Sequence, residues 1–277
     1  MTTVLAIAGK EVRDGLRNRW VLATTLLMGA LALGLAFLGT APTGSNVAAS
    51  RLAVTVVSLA SLTIFLVPLI ALLLSFDALV GEVERGTMLL LLAYPVARWE
   101  IVAGKFLGHT ALVAIATTVG YGVAAMAIAY TTPGTGTADW KAMGALITSS
   151  ILLGAVFLSI GYLLSSLVRE RATAAGLAIA VWLVFVLLYD LGLLGYLAAT
   201  EGKGVSAELF GWLLLLNPAD AFRLFNLTGV EEVRQFAGMA GVSRQASVSP
   251  LALMAALLAW VLVPLILAQL VFHRRQL

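Results

Sequence analysis

The chain has 277 residues, of which 61% are hydrophobic and only 11% are charged, and its net charge is +3. Because a soluble domain has about 25% charged residues, this composition excludes an ordinary soluble protein and indicates a membrane protein. Cysteine is absent, which excludes disulfide bonds, thiolate metal ligands and redox dithiols. The basic residues are spread over the connecting segments, as expected for contact with membrane lipid and not with nucleic acid.

Residues 1–19 predict an amphipathic helix on the cytoplasmic side. Its apolar face consists of Leu5, Ala8, Val12 and Leu16, and the opposite face carries Lys10, Arg13, Asp14 and Arg17. Such a helix lies at the membrane surface with its apolar side down. It is either an anchor that sets the topology or an elbow that leads into the first span and borders a cytoplasmic partner. The candidate residues of this elbow helix are Lys10, Glu11, Arg13 and Arg17.

Six segments are apolar and longer than the roughly 20 residues that a membrane-spanning helix needs. They are residues 20–50, 52–76, 106–138, 142–168, 172–200 and 245–272. The sequence therefore predicts an all-α, polytopic inner-membrane protein, with an elbow helix at 1–19 and a six-helix transmembrane domain at 20–277.

Lysine and arginine are concentrated in the segments on the side of both termini, and this distribution predicts that both termini are cytoplasmic. Residues 77–105 are then a cytoplasmic segment, and residues 197–249 form a periplasmic loop before the last span.

The cytoplasmic segment contains GEVERGTMLLLLAYPVARWEIVAGK, residues 81–105, in which the apolar run 88–93 is too short to span the membrane. Pro95 cannot continue a preceding helix but fits the first turn of a new one. We expect a short helix around 82–93, with Glu82 and Glu84 at its positive N-terminal end, a break at 94–95 and then a second helix. This element either docks in a protein groove or rests on the membrane surface.

The periplasmic loop contains SAELFGWLLLLNPADAFRLFNL, which begins at Ser206 and predicts two short helices separated at Asn217-Pro218. Asn217 fits the N-cap of the second helix, Pro218 its first position and Asp220 its third. This broken hairpin dips into or lies on the outer leaflet. It is either a passive interfacial element or an outer gate or docking surface, for which Asn217, Pro218, Asp220 and Arg223 are the candidate residues.

The sequence contains no phosphate-binding loop and no H-E-x-x-H or G-x-S-x-G motif, so we expect no catalytic residue in this chain. The two histidines, His109 and His273, fall at predicted helix ends and are too few for a metal site, so we expect no bound metal. Asp190 is the one acid inside a predicted span, where it is either functional or interfacial.

Two stretches resemble the ABC-2 class of ABC transporter permeases: GEVERGTMLLLLAYPVARWEIVAGKF and the leader IAGKEVRDGLRNRW. Within this class, four strings are similar to permeases of the Nos system, which matures the copper enzyme nitrous oxide reductase in denitrifying bacteria: GLRNRW, FLVPLIALLLSFDALVGE, GKFLGH and LNPADAFRLFNL.

The resemblance implies a homodimer that binds two copies of a separate cytoplasmic ATPase, similar to NosF, which would bind the ATP and magnesium. It also implies a periplasmic β-helical partner similar to NosD. The segment near Glu82 would then be the coupling helix, seated in a groove of the ATPase. The residues that the resemblance assigns to this coupling are Glu82, Glu84, Arg85, Gly86, Thr87, Leu90, Pro95 and Arg98.

Three functional hypotheses follow. The first is a permease that exports a sulfur-containing species, and the second is a transmission subunit that carries ATP-driven motion to a periplasmic partner without any cargo. The third is a stand-alone carrier or channel, which the scarcity of charged residues within the spans disfavours.

Overall fold

The computed structural model describes residues 2–17, 19–38, 51–131, 136–200, 206–228 and 249–275, and the regular structure within these ranges is helical throughout. In chain order the helices are α1 (Thr2–Arg17), α2 (Arg19–Leu38), α3 (Arg51–Ser75), α4 (Val80–Glu84), α5 (Thr87–Leu92), α6 (Arg98–Thr131), α7 (Thr137–Leu167), α8 (Arg171–Leu183), α9 (Tyr189–Ala199), α10 (Ala207–Leu215), α11 (Pro218–Thr228) and α12 (Pro250–Arg274).

Five segments of the described chain are long and apolar enough to cross a membrane, and a sixth is obtained when α1 and α2, which are bent by 68° relative to each other, count as one. The five are Thr55–Glu84, Arg98–Thr131, Thr137–Leu167, Arg171–Ala199 and Pro250–Arg274. The prediction of an all-α membrane protein is therefore confirmed, with five to six candidate spans.

Helix α7 lies at the centre of the bundle. Its largest contacts are with α3 and α12, and it also packs against α6 and α11. Serine is common on its buried face, and these hydroxyls bond to carbonyls of their own helix: Ser149, Ser150, Ser159 and Ser166. This arrangement satisfies these four hydroxyl groups inside an otherwise apolar core.

Interhelical contacts define two ends of the bundle. Arg98, at the start of α6, bonds to the last residues of α12, and Lys105 of α6 bonds to Glu11 of α1. We call this end the near side; it also contains α4 and α5. The other end, with α10, α11 and the start of α7, is the far side.

Residues 77–105, which we call the coupling segment after their expected role, differ from the single helix expected over 82–93. Two short helices, α4 and α5, are separated at Arg85 and Gly86. Gly86 has a φ of 71°, a left-handed conformation that glycine adopts without a steric penalty, so the helix ends and restarts there. The following helix begins at Arg98 and not at Pro95, because the Glu100 carboxylate accepts the Ala97 amide at 3.0 Å and caps this later start.

The fifth span runs from Arg171 to Ala199 and contains a π-helical turn at Val184–Leu188 between α8 and α9. Of the predicted periplasmic loop 197–249, the structure describes the α10–α11 hairpin, and residues 201–205 and 229–248 lie outside the described residues. The expected break between two helices at Asn217-Pro218 is present.

Candidate coupling site

Helix α1 packs closely against the near end of α6 because two glycines leave room for it. A Cβ added at Gly104 would lie 2.7 Å from the Cβ of Ile7, and one added at Gly108 would lie 2.6 Å from the Cβ of Glu11. Glycines four residues apart on a helix allow a neighbouring backbone to approach closely. The face of α1 that contacts α6 therefore includes Glu11.

Lys105 is the centre of a buried ion-pair network on the near side. Its Nζ lies 2.9 Å from Glu11 Oε1 of α1 and 3.0 Å from Glu82 Oε1 of α4, and the residue is only 4% exposed. The Thr87 hydroxyl donates a hydrogen bond to the other carboxylate oxygen of Glu82. One ammonium group thus joins α1, α4 and α6, and Thr87 extends the network to α5.

The network continues into the core through His109. Its Nε2 lies 3.5 Å from Glu11 Oε2, and its Nδ1 shares a hydrogen bond of 2.9 Å with the Tyr162 hydroxyl of α7. Burial opposes the ionisation of Glu11, but the hydrogen bond from His109 and the charge of Lys105 outweigh it, so the pKa of Glu11 lies well below its usual range. Glu11 therefore remains a carboxylate at physiological pH.

A second set of bonds fixes α4 and the turn before it to α7 and α8. The Ser165 hydroxyl accepts the backbone amides of Leu79 and Val80, each at 3.0 Å. Arg171 bonds to Asp77 at 2.8 Å, and its backbone amide donates to Glu84 at 2.9 Å. The first four amides of a helix have no partner within it, so the serine satisfies two groups that would otherwise be unpaired.

The opposite face of the coupling segment is apolar and exposed. Leu89 is 59% exposed, Leu90 67% and Tyr94 69%, whereas Met88 is buried and anchors α5 to the bundle. Helix α5 therefore has one face fixed to the protein and one apolar face directed away from it at the near side.

Arg98 connects the coupling segment to the last span. Its guanidinium Nη1 donates to the carbonyls of Phe272, His273 and Arg275 at 2.8–3.0 Å. The guanidinium carbon also lies 5.7 Å from the centre of the Phe272 ring. A cation at the carbonyl end of a helix donates hydrogen bonds to unpaired carbonyls and interacts favourably with the helix dipole, so Arg98 caps α12.

On the far side, Arg223 of α11 joins two acids. Its Nη1 lies 2.7 Å from Asp220 Oδ1 of the same helix and 2.9 Å from Asp190 Oδ2 of α9. Asn217 is buried, and its amide donates to Asp220 and, at 3.0 Å, to the Phe185 carbonyl within the π-helical turn.

The α10–α11 hairpin enters the bundle, since its partners lie well inside the spans. The Trp260 indole, near the middle of α12, donates to the Leu215 carbonyl at 3.2 Å. On the α7 side, Asn226 donates to Ser149 at 3.0 Å. Tyr189 donates to the Leu213 carbonyl at 2.5 Å. The hairpin is therefore held by side-chain bonds from three spans.

The sequence of residues 5–277 matches the family described as ABC-2 family transporter protein. The chain belongs to the ABC-2 family. It is 49% identical, over 277 residues and 99% of each chain, to a "Probable ABC transporter permease protein NosY" from Stutzerimonas stutzeri. A protein of the same description from Pseudomonas aeruginosa PAO1 is 47% identical over 276 residues and 99% of each chain. The chain is accordingly an ABC-2 permease, the membrane subunit of an ABC transporter.

The structure divides the residues predicted for coupling in this ABC-2 permease into four groups. Glu82 and Thr87 lie inside the ion-pair network, and Leu90 lies on the exposed apolar face. Arg98 caps α12. The remaining residues are exposed in the turns or at a helix end: Glu84, Arg85, Gly86 and Pro95. In the elbow helix Glu11 joins the network; Lys10 is exposed and approaches Glu11 at 3.5 Å, and Arg13 and Arg17 are exposed.

The sequence did not single out Lys105, His109 or Ser165 as parts of the site. The signal for Lys105 was its position between Gly104 and Gly108 at the end of an apolar span. A lysine beside a close helix–helix contact needs a carboxylate partner, and Glu11 and Glu82 were available.

Proposed function

We propose that the near side of this ABC-2 permease is cytoplasmic and that the coupling segment is the docking site of a separate ABC ATPase. The observation that supports this most directly is the exposed apolar face of α5, Leu89 and Leu90 with Tyr94, on a segment whose other face is bonded to three helices. An exposed apolar helix face of this kind fits a hydrophobic groove in a partner.

Motion of the docked segment would reach the spans by two routes. Through Thr87, Glu82 and Lys105 it would reach α1 and α6, and through Arg98 it would reach α12. Helix α12 contacts the far-side hairpin, which we propose as the outer gate. We favour a gate over an external docking surface because Asn217 and Asp220 of the hairpin are buried.

The physiological role we propose is export of a sulfur-containing species for the maturation of nitrous oxide reductase in the bacterial inner membrane, as part of denitrification. It is supported by the NosY description of the two relatives. The partners would be two NosF-like ATPases, which bind ATP and magnesium, and a periplasmic NosD-like protein. Both termini would be cytoplasmic.

A second candidate is transmission of ATP-driven motion to the periplasmic partner without transport. The continuous contacts from Arg98 through α12 to the hairpin favour it. The two candidates differ in a reconstituted complex: export accumulates sulfur-35-labelled material inside inverted vesicles when ATP is added, whereas transmission changes only the periplasmic partner.

We place the second copy of the chain against the span formed by α8 and α9. Only 17% of the apolar stretch of this span is buried within the protein, against 67% of the corresponding stretch of α7. Ala172, Gly176 and Ala180 are exposed at helical spacing, and small residues allow close approach of two helices in a membrane. Because the chain has no native cysteine, G176C should form a disulfide-linked dimer, and G122C on α6 is the control.

The docking assignment is tested by co-purification of the ATPase with the double variant L89D/L90D. We expect loss of the ATPase with normal membrane insertion, because two charges would enter the proposed groove. L251D is the matched control, since Leu251 is 79% exposed at the far side. Retention of the ATPase by L89D/L90D would refute the docking site.

A further inference from the structure

The far-side cluster contains one more acid than base. Within the described chain, the titratable groups that face it are Tyr189 and Asp190 from α9, and Asp220 and Arg223 from α11. The neighbouring helices carry further charged residues near their far-side ends: Arg51 of α3, Asp139 and Lys141 of α7, and Glu208 of α10. In the part of the chain that the structure describes, no bond joins a charged side chain of α7 or α10 to the cluster. Among the described residues that bond within the cluster, a single guanidinium therefore balances two carboxyl groups.

The two carboxyl groups are also neighbours of each other. Asp190 Oδ2 and Asp220 Oδ1 both bond to one nitrogen, Arg223 Nη1, at 2.9 and 2.7 Å, so the two carboxyl groups lie next to each other. One oxygen of Asp190, Oδ1, is buried and has no donor among the described residues. Two ionised carboxylates are both acceptors and repel each other, whereas a proton on one of them removes the repulsion and supplies a donor for a direct hydrogen bond.

We propose that Asp190 and Asp220 form a proton-binding site, in which one proton is shared between the two carboxyl groups and holds the far-side hairpin against α9. With the proton bound, the cluster has one negative and one positive charge and every close contact is attractive. Without it, two like charges remain close together in a buried site, and the contact between α9 and α11 is weakened.

The environment of Asp220, which lies on α11 and outside the five spans, agrees with this assignment. Burial raises its pKa to about 7; Arg223 opposes the shift and Asp190 adds to it. A carboxyl whose pKa is raised on folding stabilises the structure when protonated. Its contribution is present in full below the unfolded value, about pH 4, and is lost as the pH rises through about 7.

If the hairpin is the outer gate, as proposed above, the shared proton would make opening of this gate depend on pH. Acidity on the outer side would keep the hairpin in place, and ATP-driven motion would open it more readily at higher pH. The proton site itself does not depend on transport and can be tested without it.

The first test is an infrared titration of the full chain in nanodiscs from about pH 5 to about pH 9. The wild type should show a protonated-carboxyl band that is lost near neutral pH. D220N and D190N should each lack this transition, and E208Q, which removes an exposed acid of the same hairpin, should retain it. Absence of the transition in the wild type, or its persistence in both D220N and D190N, would overturn the proposal.

A second test measures the hairpin directly. Spin labels at Y196C and L216C, two exposed positions on α9 and after α10, report the distance between the span and the hairpin in a chain without other cysteines. The distance distribution should broaden as the pH rises, and D220N should abolish this dependence. A distance that does not change with pH would overturn the proposal that the shared proton holds the hairpin against α9. A pH-dependent distance without any effect on transport would instead contradict only the assignment of the hairpin as the outer gate.

Discussion

Lys105 and Glu82 form a buried ion pair, with 3.0 Å between Nζ and Oε1, that joins the coupling segment to the helix of a membrane span. Because Lys105 also pairs with Glu11, the elbow helix shares the same ammonium group. A displacement of α4 therefore changes the energy of both neighbouring helices. Buried charges are costly to leave unpaired, so these three elements are expected to move as one unit.

Replacing Lys105 with methionine should destabilise the permease and uncouple transport from ATP hydrolysis in the complex. Two carboxylates would stay buried without their cation, at a cost of about 3–5 kcal/mol in the free energy of unfolding. Thermal unfolding of the purified permease and transport-linked ATPase activity of the complex are the measurements. K10M is the control, because Lys10 is an exposed lysine that also approaches Glu11, and it should change the stability by less than about 1 kcal/mol. Equal effects of the two variants would contradict the network.

The contact between α1 and α6 should be sensitive to a single methyl group. In G104A or G108A the new Cβ meets atoms of α1 at less than 3 Å, and overpacking of this kind costs about 1–3 kcal/mol. Hydrogen exchange should then increase in α1. G9A on α1, where no atom lies within 4 Å, should leave exchange unchanged or slow it. Slow exchange of α1 in G104A would show that the helix does not depend on this contact.

The spans were predictable because their signal is local. An apolar segment of sufficient length has few alternatives to a helix, and the break at Asn217-Pro218 followed from the conformational limits of proline. The faces of α1 were less predictable: Leu5 and Leu16 are exposed, and Glu11 faces α6. Helical periodicity separates apolar from polar residues, but it does not say which face meets another helix.

The candidate sites were only partly predictable because their contacts join distant parts of the sequence. Asp190 and Arg223 were both candidates, but nothing in either segment indicated that they form an ion pair. Arg98 was expected in the coupling segment, and its bonds to the end of α12 depend on how the two helices pack. The break at Gly86 required a left-handed backbone that other glycines of the chain do not adopt in the described residues.

Arg98 should control the end of the last span. In R98Q the charge and two of the three carbonyl bonds would be lost, so the last turn of α12 should exchange its amides faster by about tenfold, which corresponds to about 1.4 kcal/mol. R274Q, which removes an exposed arginine from the same turn, is the control. Hydrogen exchange of residues 268–275 is the measurement, and equal protection in both variants would exclude the capping role.

Asn217 should matter for the far-side gate and not for ATPase binding. In N217A the Phe185 carbonyl and the Asp220 carboxyl each lose a donor, and a buried acceptor without a partner costs about 1–3 kcal/mol. The hairpin should loosen while the near side is unchanged. We therefore expect normal co-purification of the ATPase, but reduced copper and sulfur in nitrous oxide reductase from cells that carry N217A.

E208Q is the control for N217A, because Glu208 is exposed in the first turn of α10. R223A should be more severe than N217A, since it leaves Asp190 and Asp220 without their cation. Full maturation of the enzyme in both N217A and R223A would mean that the hairpin is a passive structural element. Loss of the ATPase in N217A would instead mean that the two ends of the permease are coupled already in its assembly, and the hairpin could not be assigned to gating alone.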